Sequence, residues 1–285
     1  MPSPILPCVL LLLGGLLHLR AADPAPLRIS AIPDADPTKL LQVFEPLAAY
    51  LSQAVGRPVR FTPVTKYELV VEALAAKQLE LAWLGGYTSI QADRACAGGI
   101  TRLAMRESDA QFTSVFIAAP QSGIATLADL RGKTFAFGSQ SSTSGHLMPR
   151  FFMLQEKIDV DAELGKITFT GAHDKTIKLV ESGVAQAGAV SVSTWKRMTA
   201  EKAVDPTKVA AFHTTPPFVD YCWAVRKDLD QDLQQRLKTA LLALDPAQPE
   251  HKRILDAHSA ARYIPAVDGE WDKLKEAARA AGMFK

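Results

Sequence analysis

Residues 134 to 147, TFAFGSQSSTSGHL, join a short apolar segment to a run of small hydroxyl side chains. Residues 134 to 137 predict a buried strand, and the mostly apolar residues 147 to 154 predict a helix. The five hydroxyl side chains between residues 139 and 144 therefore fall at the start of that helix. The first amides of a helix lack partners within it and its dipole is positive there, so this position suits an anion. A single Ser or Thr also suffices as an ordinary N-cap, and the local sequence leaves both interpretations open.

The strand-to-helix pattern of this stretch recurs along the chain. Segments such as LRISAIP, VRFTPV, LELAWLG, KITFTG and QAGAVSV predict strands, and most are followed by apolar residues at helical spacing. This alternation predicts parallel sheets connected by helices. Two extended segments, 111–119 and 218–226, flank the middle of the chain and predict paired crossings between two lobes. Mostly helix is expected beyond residue 229.

We therefore expect an α/β protein of two Rossmann-like lobes that are joined by a two-strand hinge. Residues 23–117 form the first part of lobe 1, residues 118–219 form lobe 2, and residues 220–285 return to lobe 1 and add C-terminal helices. In open α/β sheets, ligands bind beyond the carboxyl ends of the strands. The loops PDADP, LGGYTS, GSQSSTSGH and TGAHDK would then face one ligand cleft between the lobes.

The first 22 residues differ from the rest of the chain. They contain the apolar run ILPCVLLLLGGLLHL, followed by Arg20-Ala21-Ala22 and a polar, proline-containing segment. This layout predicts a signal peptide over residues 1–22 with cleavage near Ala22, and hence export to the periplasm. An uncleaved anchor is the alternative, although the run is short for the roughly 20 residues that a bilayer requires.

Composition excludes several classes of protein. The chain has 285 residues, 48% of them hydrophobic, and a formal charge of +2 from 32 basic and 30 acidic residues. Without a basic block or stripe, no nucleic-acid partner is expected. The histidines are scattered, with His251 and His258 expected at the surface, so neither a metal site nor a cofactor is predicted. Cys96 and Cys222 suit small buried side chains, with pairing or ligand contact as alternatives.

Catalytic motifs are weak or absent. Ser193 and Lys196 have the spacing of a serine–lysine acylating pair, but its companion Ser-Asp-Asn and Lys-Thr-Gly motifs are missing. The chain also lacks a G-x-S-x-G elbow and a phosphate-binding P-loop. We therefore expect a binding protein rather than an enzyme.

Five motifs carry a resemblance to a known family. They are LRISAIPDADPTKL, LELAWLGGYTSIQA, LADLRGKTFAFGSQSSTSGHLMPRFF, GAHDKTIKLVESGVAQAGAV and TTPPFVDYCWAVRKDL. Their order and spread resemble the periplasmic solute-binding proteins of ABC transporters for phosphonate, phosphite and related oxyanions, of the type II periplasmic binding-protein fold. Within that family the chain is most similar to a subgroup labelled selenate-binding.

The resemblance implies which residues hold the ligand. Ser142, Thr143 and Ser144 would surround its oxygens with hydroxyls and amides, His173 matches a ligand-contacting histidine, and Tyr67 matches a pocket tyrosine. By its position alone, His173 could instead simply cap the next helix.

The candidate set also includes residues near these motifs. Tyr87 follows two glycines that allow close approach to a ligand, with a packed aromatic as the alternative. Ser141 and Gly145 flank the three hydroxyl residues, and His146 could point into the cleft or out to solvent. Asp220 could reach the cleft, although QAGAVSVST offers no carboxylate for a ligand amino group. A compact, bare oxyanion is therefore favoured over an aminoalkyl ligand.

Three functions remain open on the sequence. The first is a monomeric transport receptor that captures a small oxyanion and delivers it to the membrane permease of an ABC transporter. The second is a sensor that presents an oxyanion, or arsenite held by a cysteine, to a membrane histidine kinase. The third is an enzyme of the same fold, such as a synthase for the pyrimidine precursor of thiamine.

Overall fold

A computed structural model describes residues 25–266, 269 and 271–284. The predicted signal peptide over residues 1–22 lies outside the described residues. Within these ranges, no helix is both long and apolar enough to cross a bilayer. The described chain forms two α/β lobes, each built on its own sheet.

Lobe 1 contains a six-stranded sheet in the described part of the chain, with strand order β11-β4-β10-β3-β1-β2. Its strands are β1 (Leu27–Ala31), β2 (Val59–Phe61), β3 (Leu81–Leu84), β4 (Ile100–Arg106), β10 (Cys222–Arg226) and β11 (Tyr263–Pro265). Its helices are α1 (Pro37–Val55), α2 (Tyr67–Ala75), α3 (Gly86–Ala95), α8 (Gln231–Leu242), α9 (Pro249–Ala257) and α10 (Trp271–Ala280). β1 pairs in parallel with β2 and β3, whereas β10 runs antiparallel between β3 and β4.

Lobe 2 contains a five-stranded sheet in the described residues, with strand order β7-β6-β8-β5-β9. Its strands are β5 (Ser114–Ala118), β6 (Phe135–Phe137), β7 (Ile167–Phe169), β8 (Ala187–Ser191) and β9 (Ala210–Thr214). Its helices are α4 (Met148–Gln155), α5 (Val160–Glu163), α6 (His173–Glu181) and α7 (Val192–Ala200). β6 is parallel to β7 and β8, and β5 is antiparallel to β8 and β9.

The chain crosses between the lobes at two points that pair with each other. Phe112 and Phe218 exchange both backbone hydrogen bonds, at 2.8 and 2.9 Å, and their rings meet edge to face. The expected boundary after residue 117 is wrong, because it falls inside β5. Ser114 already pairs with Ser191 of lobe 2, so the first crossing ends before β5 begins. The two expected crossing segments do pair at Phe112 and Phe218, and beyond that point they continue into different sheets.

Strands β4 and β11 were not predicted from the sequence, and each has a physical reason. β4 carries Arg102 and Arg106, which are only 7% exposed. Because charged residues are usually exposed, its sequence does not look like that of a buried strand. Both guanidinium groups lie over aromatic rings, Arg102 over Trp271 and Arg106 over Tyr221. β11 has three residues, ends in Pro265 and lies at the sheet edge, where proline is tolerated.

Candidate functional site

The hydroxyl-rich stretch forms the start of a helix at the end of β6. Residues Thr143–Leu147 make a π-turn that continues directly into α4, and the Leu147 amide donates to the carbonyl of Ser142 at 3.0 Å. The Ser142 hydroxyl accepts from the Gly145 amide at 3.0 Å, so one serine acts as the N-cap. Among the described residues, nothing accepts from the amides of Thr143 and Ser144. One cap therefore satisfies only part of this terminus, and two buried donors remain available.

His173 begins α6 and lies against the same turn. A Cβ added at Gly145 would lie 2.8 Å from Cε1 of His173 and 2.9 Å from Oγ of Ser142, so only glycine allows this approach. The Ser191 amide donates to Nδ1 of His173 at 3.2 Å, which leaves the ring proton on Nε2. Complete burial lowers the pKa of His173 to about 4, so the ring is neutral. Its Nε2 has no partner among the described residues and is a free donor.

Tyr67 approaches from the opposite lobe, at the start of α2. Its ring is 2% exposed, and its hydroxyl has no hydrogen-bond partner in the described structure. Burial, reinforced by the negative charges of Asp34 and Asp220, raises the pKa of Tyr67 well above its usual value. The hydroxyl of Ser142 is near enough to oppose this shift. Tyr67 therefore keeps its proton and can donate it to a ligand.

Asp220 supplies the carboxylate of the site. Its Oδ1 accepts from the Gly86 amide at 2.7 Å, whereas Oδ2 has no partner within the described ranges. Burial raises the pKa of Asp220 to about 7, although Gly86 and the nearby hydroxyls of Thr143 and Ser144 partly oppose this. The site thus combines several neutral donors with one acceptor that can itself carry a proton near neutral pH.

Two candidate residues lie elsewhere than expected. The Tyr87 hydroxyl donates to the carbonyl of Met283, and only its amide faces the site, donating to Thr143 Oγ1 at 2.9 Å. His146 points neither into the cleft nor to solvent, because its ring packs against Phe137 and Phe169 inside lobe 2. In this structure neither side chain points toward the candidate ligand site, contrary to the expectation that they contact the ligand.

The ring nitrogens of His146 are both engaged, which explains its placement. Nδ1 is 2.8 Å from the carbonyl of Gln140, and Nε2 accepts from Arg150 at 3.3 Å. Burial lowers the pKa of His146 to about 4. Ser141 is likewise engaged, since its hydroxyl donates to Glu68 Oε1 at 2.8 Å.

Tyr221 and Asp34 were not recognised as site residues from the sequence. The Tyr221 hydroxyl donates to Asp34 Oδ2 at 3.0 Å. Asp36 alone caps α1, accepting from the Lys39 amide at 3.0 Å. No local signal marks Tyr221, because its partner lies far away in the chain.

His258 is a further correction. It is 4% exposed rather than at the surface, and burial lowers its pKa to about 3. It lies edge-on to Phe44 and Trp83 within the aromatic core of lobe 1. Cys96 and Cys222 are both buried and unpaired, as the simpler interpretation expected, and burial raises the pKa of Cys222 to about 12.

A small cavity of about 80 Å³ lies between the lobes beside this site. Asp34, Trp83 and Arg106 line it from lobe 1, and Thr194 and Arg197 line it from lobe 2. A larger cavity of about 670 Å³ is formed by α1 and α9 and shares no residue with the site. The converging polar groups, rather than cavity size, therefore identify the candidate ligand site.

The chain is similar to proteins of one family over most of its length. A family model described as "ABC transporter, phosphonate, periplasmic substrate-binding protein" matches residues 29–271. The "Probable ABC transporter phosphite binding protein PhnD1" of Prochlorococcus marinus (strain MIT 9301) is 34% identical over 269 residues, which cover 90% of each chain. The "Phosphate-import protein PhnD" of Mycolicibacterium smegmatis is 24% identical, over 92% of this chain and 88% of that protein.

A solved structure extends the comparison to three dimensions. The structure of PhnD1 from Prochlorococcus marinus in complex with methylphosphonate superimposes with a TM-score of 0.87. The two sequences are 31% identical, and the alignment covers 91% of this chain and 99% of that one.

Proposed function

The chain belongs to the family of periplasmic substrate-binding proteins of phosphonate ABC transporters, and we propose that it captures phosphite or a small phosphonate between its lobes. One observation carries this proposal. The Tyr67 hydroxyl, His173 Nε2 and Asp220 Oδ2 are all buried without a protein partner in the described structure. Buried polar groups are normally hydrogen-bonded, so three unsatisfied groups beside free helix amides indicate a polar ligand.

The composition of the site favours an anion. Tyr67 and His173 each offer one neutral donor, and the amides of Thr143 and Ser144 add two more at a helix start. Each charge-assisted hydrogen bond to an anion contributes about 1.5 to 3 kcal/mol net. Neutral donors also allow the ligand to be released, as a transport receptor requires.

Asp220 favours an anion that carries a proton. An ionised carboxylate repels a fully ionised ligand but accepts a hydrogen bond from a protonated ligand oxygen. Phosphite and alkylphosphonates can supply that proton near neutral pH, whereas sulfate and selenate cannot. Sulfate and selenate would instead require a protonated Asp220, whose pKa of about 7 makes this form scarce above that pH. This argument disfavours selenate as the ligand.

A thermal-shift panel at pH 8 tests the ligand class. It compares phosphite, methylphosphonate, phosphate, sulfate, selenate, selenite and arsenite at equal concentrations. We expect phosphite and methylphosphonate to raise the melting temperature most, because binding to the folded state stabilises it in proportion to RT ln(1 + [L]/Kd). Larger shifts with sulfate or selenate would contradict the proposal, and a response to arsenite alone would favour the sensor hypothesis.

We infer that closure of the lobes over the anion creates the form that the membrane permease recognises. The paired crossing at Phe112 and Phe218 is the pivot for that movement. The protein would act as a monomer after export directed by residues 1–22. Stimulation of the ATPase of a reconstituted cognate transporter by protein plus phosphite, and not by either alone, would test this role.

We further propose that the protein binds its ligand without converting it. Phosphorus-31 NMR of methylphosphonate recovered after incubation with equimolar protein and removal of the denatured protein should show only the original signal. A new phosphorus resonance would indicate turnover and contradict this part of the proposal.

A further inference from the structure

Ser141 links the two lobes through its side chain. Its hydroxyl donates to Oε1 of Glu68 at 2.8 Å and accepts from Nε2 of Gln91 at 3.3 Å. Ser141 follows β6 in lobe 2, whereas Glu68 lies in α2 and Gln91 in α3, both in lobe 1. Ser141 is 4% exposed, so these bonds are largely shielded from water.

The geometry leaves Ser141 little capacity for a ligand. A hydroxyl has one proton, and in Ser141 it is directed at Glu68. The Ser141 backbone is held in place because its amide donates to Oγ of Ser139 at 3.2 Å. Ser141 therefore differs from its neighbour Thr143, whose hydroxyl lies near the carboxylate of Asp220.

The three-residue contact depends on the lobes being close together. Its partners belong to separate lobes, so rotation about the paired crossing at Phe112 and Phe218 would separate them. We propose that Ser141, Glu68 and Gln91 form an interlobe latch that stabilises the closed form without touching the ligand. This inference rests on the proposed function, because it assigns the latch to the closure that captures the anion.

A latch of this kind changes affinity in a characteristic way. Apparent affinity scales with the fraction of receptor that is competent to bind, so a change in the closed population affects every ligand by the same factor. Loss of a direct ligand contact instead alters the ratio between ligands. The interlobe hydrogen bond from the Tyr87 amide to Thr143 Oγ1 lies inside the site, so its removal cannot separate these effects. The exposed ion pair between Lys39 and Glu201, at 3.9 Å, contributes little to the stability of the closed form.

The test uses Ser141→Ala, Glu68→Ala and the double variant, with calorimetry on phosphite and methylphosphonate. Glu72→Ala is the matched control, because it removes an exposed carboxylate one turn further along α2. We expect each single variant to bind both anions about three- to tenfold more weakly, by the same factor for each anion. The double variant should lose no more than either single variant, because both remove one interaction. The control should match wild type.

The sign of the Glu68 effect is informative. Removing a negative charge near an anion site would by electrostatics alone strengthen binding, whereas loss of the latch weakens it. A weakened Glu68→Ala therefore cannot be attributed to charge. A loss of affinity in Ser141→Ala but not in Glu68→Ala would overturn the latch and indicate that Ser141 contacts the ligand. So would a loss whose factor differs between the two anions.

A ligand-independent measurement separates failure of the latch from failure of the proposed function. Spin labels at the exposed Gln53 of lobe 1 and Lys175 of lobe 2 report the distribution of interlobe distances in buffer. Cys96 and Cys222 are buried and do not compete for labelling. If wild type binds neither anion, the proposed ligand class is wrong, and the distances alone decide on the latch. A smaller closed fraction in both variants supports it, and an unchanged distribution overturns it.

Discussion

Asp220→Asn is expected to remove the pH dependence of anion binding. In the native protein the Gly86 amide donates to Oδ1 of Asp220 at 2.7 Å. The asparagine keeps an oxygen that can accept this bond. At the unpartnered Oδ2 position it places an amide nitrogen, which donates to an anion and does not titrate. The shape of the site is preserved while its only proposed proton carrier is lost.

The magnitude follows from the pKa of Asp220. Burial raises this pKa from 3.8 to about 7, so the closed form binds the proton more tightly than a solvent-exposed carboxyl does. The stability of the closed form therefore falls as pH rises from about 4 to 7, and the cost is constant above that range. At about 1.4 kcal/mol for each pKa unit, ionised Asp220 costs the closed cleft about 4 kcal/mol at pH 8.

A protonated ligand oxygen relieves this cost, so one proton accompanies each bound anion. At high pH that proton must come from solution, and wild-type affinity for methylphosphonate should fall about tenfold between pH 8 and pH 9. Calorimetry in two buffers of different ionisation enthalpy should detect uptake of about one proton. In Asp220→Asn, the affinity should change less than about twofold over this range, with little proton uptake.

Asp174→Asn provides the control for this experiment. It removes a half-buried carboxylate from the first turn of α6 while leaving Asp220 intact. The control should retain both the tenfold fall and the proton uptake. If Asp220→Asn behaved like this control, the proton would reside on another group, and the role assigned to Asp220 would be refuted.

Three further predictions concern the hydroxyl-rich turn and the N-terminus. Thr143→Val removes a hydroxyl beside the Asp220 carboxylate and the acceptor for the Tyr87 amide of the other lobe. Calorimetry should therefore show affinity lost by about five- to 150-fold, or roughly 1 to 3 kcal/mol. Ser139→Ala should cost much less, and equal losses in the two variants would indicate that the hydroxyl cluster is only a helix cap. Gly145→Ala places a Cβ 2.8 Å from the His173 ring and should weaken binding at least about tenfold. In Gly138→Ala the added Cβ has its nearest contact at 3.5 Å, so this control should bind normally in the same assay. Intact-mass measurement of exported protein should place its first residue near Asp23, and a mass that includes residues 1–22 would indicate an anchor instead.

Local features were predictable because they depend on neighbours in the chain. The alternation of strand and helix and the helix start at the hydroxyl-rich turn both involve contacts within a few residues. The order of the motifs along the chain likewise indicates the family, and the family match over residues 29–271 confirms it. Ser142 is the N-cap that a local interpretation requires, and that interpretation alone leaves the roles of Thr143 and Ser144 undetermined.

The directions of side chains at the cleft were decided by tertiary packing. Tyr87 and His146 both lie near helix starts, where a side chain could have faced the cleft. The Tyr87 hydroxyl instead bonds Met283 near the C-terminus, and the His146 ring packs between aromatic rings in lobe 2. Tyr221 and Asp34 meet across 187 positions of sequence, and Arg106 is buried in β4 because aromatic rings and Asp109 surround its charge. Periodicity specifies which face of a strand or helix is apolar. Which polar group a side chain reaches depends on distant segments that compete for the same donors and acceptors, and only the assembled lobes bring those segments together.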